Sequence, residues 1–304
     1  MTDVILHHYP TSPYSEKIRV AFGAKQLPWH SVTIPQIMPK PDVIALTGGY
    51  RKTPIMQIGS DIYCDTACIL RELERRFPED SLYASPAAEP LASWCDTKMF
   101  GPAVGVAFAH VGHTLSQEFK DDRAKFSGRD FSTDRMKAAM PHLIDQLRAV
   151  IVMLDGLLAD GKPFLLGDTL SVADLAPYHC LWFIVERGGT TIPPLAEYPR
   201  VTAWMARVKA IGHGKPTDMT SSDAIDIARD SKPASAGEAD AHDPVGRKPG
   251  MKVSVTPDDT GRDPVVGELV MSSAREIVIR RTDERAGTVH VHFPRLGFVV
   301  LPAK

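Results

Sequence analysis

The chain has 304 residues, 43% of them hydrophobic and 24% charged, with 35 basic against 37 acidic residues and a formal charge of −2. That composition belongs to a globular protein of two or three domains and excludes disorder throughout. No stretch approaches the roughly 18 to 20 uninterrupted apolar residues of a membrane span, and the start, Met1 to Leu6 followed by His7 and His8, lacks a basic region with a long apolar run behind it. The chain therefore reads as cytoplasmic, with no membrane partner, and the absence of a Lys/Arg block argues against nucleic acid. Cys64, Cys68, Cys95 and Cys180 are too few for a disulfide framework and lack the CxxC pairs of a structural zinc site.

The 25 prolines mark the joints, crowding residues 10 to 54 and 78 to 102, vanishing from Ala103 to Met140, and returning at intervals from Pro216. Residues 1 to 80 alternate short apolar strands with periodic helices: Val4 to Tyr9, Pro13 to Lys25, Ile55 to Ile58, Ile62 to Tyr63 and Thr66 to Phe77. This is an α/β pattern. From about residue 86 to 215 the signal is helical, with Leu143, Leu147, Val150, Ile151 and Leu154 at helical spacing, and predicts an all-α domain. A short candidate helix, Ser222 to Arg229, and a linker, Ser231 to Gly250, fill residues 216 to 250. From 251 to 304 the period becomes two, in Lys252 to Thr256, Glu268 to Met271, Glu276 to Arg280, Thr288 to Phe293 and Phe298 to Leu301, which predicts a small all-β domain, a barrel or a sheet.

Three turns in the α/β part share a chemistry. Ser12 fits the N-cap and Pro13 the first position of a helix. Thr53-Pro54 places a proline at a strand entrance, which suits a cis-proline or a simple strand start. Asp65-Thr66 opens a helix whose free N–H groups can bind a carboxylate while Asp65 receives an ammonium, although an ordinary cap explains the same residues.

In this order, and followed by an all-helical domain, these motifs resemble a cytosolic glutathione S-transferase over residues 1 to about 215. Ser12-Pro13-Tyr14-Ser15 looks like the Cys-Pro-Tyr-Cys motif of glutaredoxins with both thiols replaced, and Ser12 to Arg19 is similar to the serine-type tau class. The resemblance implies a thioredoxin-like N-terminal domain plus an all-α domain, with glutathione as co-substrate and no metal. By the same match Ser12 is catalytic, Thr53 and Pro54 pair with the cysteinyl part of glutathione, and Asp65 and Thr66 hold its γ-glutamyl end. Lys40 is a looser candidate for the glycyl carboxylate. The stretch Phe164 to Leu175, with a capping box of Ser171 and Asp174, resembles the family's approach to its buried central helix, and Tyr198 to Trp204 the helix after it. A homodimer and a small hydrophobic electrophile as second substrate follow from the resemblance, with Tyr14, Phe100 and Phe108 as candidates for the acceptor pocket or for core.

The departures bear on the reaction. Alignment on Pro10 places His8 where tyrosine-type classes hold their tyrosine, and neither end of the Ser12 to Ser15 turn carries sulfur, which favours conjugation over thiol-disulfide exchange. A glutathione-dependent isomerase or peroxidase shares the same thiolate, and a non-catalytic binding or regulatory protein, whose C-terminal β module binds a partner, is the alternative of another class. His110 with His113, and Cys64 with Cys68, read as packing. His290 and His292 alternate on one strand face with Asp258, Asp259 and Asp263 on turns nearby, and read as solvent-facing positions by default, with metal ligation as the alternative. The polar stretch Ser116 to Asp134 predicts a loop over the cleft.

Overall fold

A computed structural model describes residues 3–188, 193–237 and 240–303. The α/β part comprises β1 (Ile5–His8), α1 (Pro13–Ala24), β2 (Pro28–Thr33), α2 (Pro41–Thr47), β3 (Ile55–Ile58), β4 (Asp61–Cys64) and α3 (Thr66–Arg76). The helical part comprises α4 (Ala88–Lys98), α5 (Phe100–Val111), α6 (Gln117–Ser127), α7 (Thr133–Leu157), α8 (Val172–Gly188), α9 (Pro193–Ala196) and α10 (Pro199–Ala210). Then come β5 (Lys215–Asp218), α11 (Ser221–Asp230), β6 (Lys252–Pro257), β7 (Val265–Ser272), β8 (Glu276–Asp283), β9 (Gly287–Pro294) and β10 (Phe298–Pro302). No helix among the described residues is long and apolar enough to cross a membrane.

The ten strands among the described residues form one sheet in the order β10-β6-β7-β8-β9-β4-β3-β1-β2-β5. The thioredoxin-like strands are its second half, with β2 parallel and β3 antiparallel to β1, and β4 antiparallel to β3. The C-terminal strands therefore take the sheet form of the two expected, and they continue the N-terminal sheet through a parallel pairing of β4 with β9 (Asp61 with His290, Ile62 with Val291, Tyr63 with His292).

Strand periodicity explains how one sheet serves two cores. Successive side chains point to opposite faces, so Leu6, Met56 and Tyr63 enter the core shared with α1, α3 and the helical domain. Their neighbours Ile5, Ile55 and Ile62 enter a second core with Val253, Leu269, Ile277, Val289, Val291 and Phe293 of the extension. Ala224, Ile225 and Ala228, the buried face of α11, complete that second core. The linker before β6 (residues 238 and 239 lie outside the described residues) is pinned by Asp61, which accepts from the Ala234 N–H at 2.9 Å, and by Asp243, which accepts from Ser272 Oγ at 2.7 Å.

Two expectations change here. Residues 116–134 are not a loop, because α6 forms within them: Ser116 caps it by accepting from the Phe119 N–H at 3.2 Å, and Gly128 ends it with φ of +66°. His290 and His292 do not face solvent, because β9 is covered on both faces. His292 lies between two carboxylates, with Nδ1 2.8 Å from Glu276 Oε1 and Nε2 3.1 Å from Asp61 Oδ1, and its ring stacks on Tyr63 at 4.4 Å. Burial lowers its pKa, but the two carboxylates more than offset this and hold it above the ordinary histidine value.

In the helical domain, Asp174 is fully buried and accepts from the Leu165 and Ser171 N–H groups, the Ser171 hydroxyl and Trp204 Nε1, all at 2.8 to 3.0 Å. The carboxylate half of the capping box is thus made, while the Ser171 hydroxyl turns to the carboxylate.

Candidate functional site

The site is assembled at the C-terminal end of β1, the start of β3 and the starts of α1 and α3. Ser12 stands at the N-cap of α1 with extended backbone, and its Oγ accepts from the Ser15 N–H at 3.2 Å. The preceding turn is held by Arg19, which donates to the Pro10 carbonyl at 2.9 Å and to Glu16 at 2.7 Å, and meets His8 Nδ1 at 3.1 Å. Burial and then the Arg19 guanidinium press the His8 pKa down to about 3, so its ring is neutral. A neutral ring that accepts from Arg19 at Nδ1 carries its proton on Nε2 and donates to Ser31 Oγ at 3.1 Å. The His8 imidazole is thus committed to its own neighbours.

Thr53 and Pro54 open β3 through a cis peptide bond. Lys40, 2% exposed, donates to Thr53 Oγ1 at 3.2 Å and to the Arg51 carbonyl at 3.4 Å, and lies 5.7 Å from the centre of the Tyr9 ring. Burial, then the Arg123 and Arg51 charges, push its pKa down to about 7. Asp65 caps α3 from a left-handed backbone (φ +75°), accepting from the Ala67 N–H at 2.9 Å, and burial raises its carboxyl above the usual carboxylate value. Such a conformation costs a non-glycine residue on the order of 1–3 kcal/mol and concentrates at functional turns.

Beneath Thr66 lies a set of charges that sequence reasoning missed. Lys17 Nζ donates to Thr66 Oγ1 at 3.3 Å and to Asp96 Oδ2 at 2.5 Å, and Asp96 Oδ1 lies 2.9 Å from His179 Nε2. Tyr14 packs against Phe100 and His179, with ring centres 4.5 and 4.6 Å apart. Phe108 lies elsewhere, in a cluster with Phe119, Phe131 and Phe183. The structure thus brings together Lys40 with Thr53, Thr66 with Lys17, and Tyr14 with Phe100, and separates Phe108 from them. His110 turns back to the Val106 carbonyl at 2.9 Å, and burial pushes the Cys64 and Cys68 thiols well above their ordinary values. Among the described residues no group of three or more His, Cys, Asp or Glu side chains is arranged to hold a metal ion.

The second missed set comes from α6. Arg51 Nη2 donates to Asp122 Oδ1 at 2.6 Å, and Arg123 Nη2 donates to the Gln36 carbonyl at 2.7 Å and lies 3.4 Å from the Tyr9 hydroxyl. Nothing in the local pattern of Gln117 to Ser127 announces this, because its charged residues read equally as a solvated face.

Residues 6–81 match the model of the glutathione S-transferase N-terminal domain, and residues 109–215 match that of a domain of unknown function (DUF7962). No curated protein sequence matches significantly. Among solved structures, a GST-like protein from Pseudomonas syringae is 40% identical over 98% of this chain and 100% of its own, with a TM-score of 0.82. A glutathione S-transferase from Rhodospirillum rubrum (23% identity, TM-score 0.54) and a tau class glutathione S-transferase from mango, Mangifera indica (16%, 0.52), each match 68% of this chain, over 88% and 89% of their own. The last two support the fold of the first two thirds; the first extends over the C-terminal strands as well. With that end-to-end match and the transferase N-terminal domain, the chain belongs to the glutathione S-transferase-like family.

Proposed function

We propose that the protein is a glutathione transferase of the serine type, in which Ser12 donates a hydrogen bond to the glutathione thiolate and the thiolate attacks a small hydrophobic electrophile. The observation that carries this reading is the direction of the Ser12 hydrogen bond. Its Oγ is an acceptor for the Ser15 N–H, so the hydroxyl proton is not spent on the cap and can be given to an anion. Capping and catalysis are compatible in one side chain.

A free thiol with pKa about 8.5 is only ~3% thiolate at pH 7. A hydrogen bond felt only by the charged form contributes roughly 1.5–3 kcal/mol, or about 1–2 pKa units, and the N-terminus of α1 favours negative charge in the same direction. Asp65 and Thr66 offer a carboxylate and a hydroxyl to the two charged groups of a γ-glutamyl end, with Lys17 at 3.3 Å from that hydroxyl. The test is the pH dependence of conjugation with a panel of aryl halides, epoxides and Michael acceptors. Ser12→Ala should slow the reaction at pH 7 and raise its apparent pKa by about 1–2 units; equal rates and equal pKa values in the two proteins rule the role out.

A second reading, a glutathione-fold binding or regulatory protein, is favoured by one observation: Ser12, Lys40 and Thr66 are all buried. Retention on immobilised glutathione without turnover of any electrophile selects it.

A further inference from the structure

Lys40, which touches Thr53 and the Tyr9 ring, lies within the field of the Arg51 and Arg123 guanidiniums, so three basic side chains meet here. Among the described residues one carboxylate answers them. Asp122 Oδ1 accepts from Arg51 Nη2 at 2.6 Å and from the Met38 N–H at 3.3 Å. The ion pair is withdrawn from solvent, the Arg51 and Asp122 side chains being 8% and 10% exposed. The other Asp122 oxygen, Oδ2, is buried with no hydrogen-bond partner. A carboxylate that buries an unsatisfied oxygen in order to meet a cluster with excess positive charge is a poor match for its position, because the desolvation of that oxygen goes uncompensated.

We propose that Asp122 of α6 is an internal competitor at the carboxylate end of the cleft, holding Arg51 beside Arg123 and the Lys40 already read as the candidate for the glycyl carboxylate, until a substrate carboxylate takes its place. This rests on the reading of Thr53-Pro54 and Asp65-Thr66 as the glutathione cleft, since the cluster adjoins Thr53. Entry of the ligand carboxylate displaces Asp122 from Arg51, and α6 opens as the ligand binds.

The C-terminal extension takes part in this closure. The Gly261 N–H, on the turn between β6 and β7, donates to the Phe126 carbonyl at 2.9 Å, and a side chain on Gly261 would collide with the Phe126 ring. That ring lies 5.1 Å from the Arg51 guanidinium and 5.7 Å from that of Arg123. The same turn pairs Asp259 with Lys52, next to Thr53. The extension thus fixes the C-terminal end of α6 over the cations, while Asp122 holds its middle.

The experiment compares the full-length wild type with Asp122→Asn, which keeps the size of the side chain and removes its charge. Two readouts are taken: amide hydrogen exchange of residues 117–127 without ligand, and calorimetric binding of S-methylglutathione, which carries the carboxylates but cannot react. Asp122→Asn should lower the protection of α6 about tenfold and tighten S-methylglutathione binding about tenfold, the scale of one charge-assisted hydrogen bond. In the wild type, ligand should lower the protection of α6. Equal protection in both ligand-free proteins overturns the closure, and equal binding overturns the competition. Binding to neither protein removes the glutathione reading, and the exchange comparison then decides the closure alone. Arg123→Gln is the second variant; it should weaken S-methylglutathione binding, and unchanged binding removes Arg123 from the cluster.

Discussion

The thioredoxin-like domain is joined to the rest of the chain by two seams, and each is built around an aspartate and a buried histidine. At the helical seam, Asp96 faces the ammonium group of Lys17 and the ring of His179. Burial, only partly offset by Asp96, keeps the His179 pKa below its ordinary value, so one carboxylate is balanced by one lysine. At the extension seam, His292 is flanked by Asp61 and Glu276, and both ring nitrogens face carboxylate oxygens. Only the imidazolium donates from both nitrogens, so this seam is complete only when a proton is bound. The difference separates a junction set by fixed charge from one that titrates.

The largest expected effect breaks the fixed-charge seam. Lys17→Met leaves Asp96 without its cation and should cost about 3–5 kcal/mol in denaturant unfolding, whereas adding Asp96→Leu to remove both charges should recover most of the loss. A smaller effect lies between the seams, in β1. Burial pushes the His7 pKa down to about 4 from 6.5, so the folded chain holds this ring neutral while the unfolded chain protonates it. The stability it contributes is present above pH 6.5 and is lost as pH falls toward 4, to the extent of about 3 kcal/mol. Unfolding measured across that interval should show this slope added to that of His8, and His7→Leu should remove the His7 share and leave the rest.

The extension seam should respond in the opposite direction. Because the His292 pKa is raised in the folded chain, its contribution is full below pH 6.5 and is lost as pH rises through the folded value. Hydrogen exchange, corrected for intrinsic rates, should report a loss of about 1–2 kcal/mol of protection in residues 276–294 over that rise, with β1 and β2 unaffected. His292→Phe should abolish the pH dependence, and a pH-independent wild type would erase the contrast between the seams. The smallest effect sets the baseline: the exposed pair of Arg280 with Glu268, on the same extension, should lose less than about 0.5 kcal/mol in Arg280→Ala.

Local signals in the sequence were sufficient for much of this. Ser12, Pro13 and Asp65 were legible as helix starts because a cap needs only two or three adjacent residues, and β6 to β10 were legible because alternation repeats within each strand. Other features require partners that the chain brings from far away. Lys17, Asp96 and His179 lie on three helices, and each alone reads as a surface charge or a packed ring. Asp61 and His292 meet only because β9 pairs with β4 across more than two hundred residues. The strand β5 carried no hydrophobic pattern, all four of its residues being exposed, and it forms by backbone pairing with β2. The helix α6 reads as a loop in the sequence because it has no fully buried residue to generate an apolar stripe, Phe119 and Phe126 packing half-buried beside the polar contacts of Asp122 and Arg123.

The pairing of β4 with β9 also bears on how the protein behaves when cut. In the ten-stranded sheet the two outermost strands are β5 and β10, which contain Pro216 and Pro302, residues with no N–H to offer an approaching chain. Removing the extension would shift the boundary inward to β4, whose four residues are all buried in the intact chain, and leave a bare row of N–H and C=O groups beside Ile62 and Tyr63. A fragment ending before Lys252 is therefore expected to self-associate through that exposed margin. The last strands act as a solubility device as well as a continuation of the fold, and the enzyme-like two thirds of the molecule are best handled with them attached.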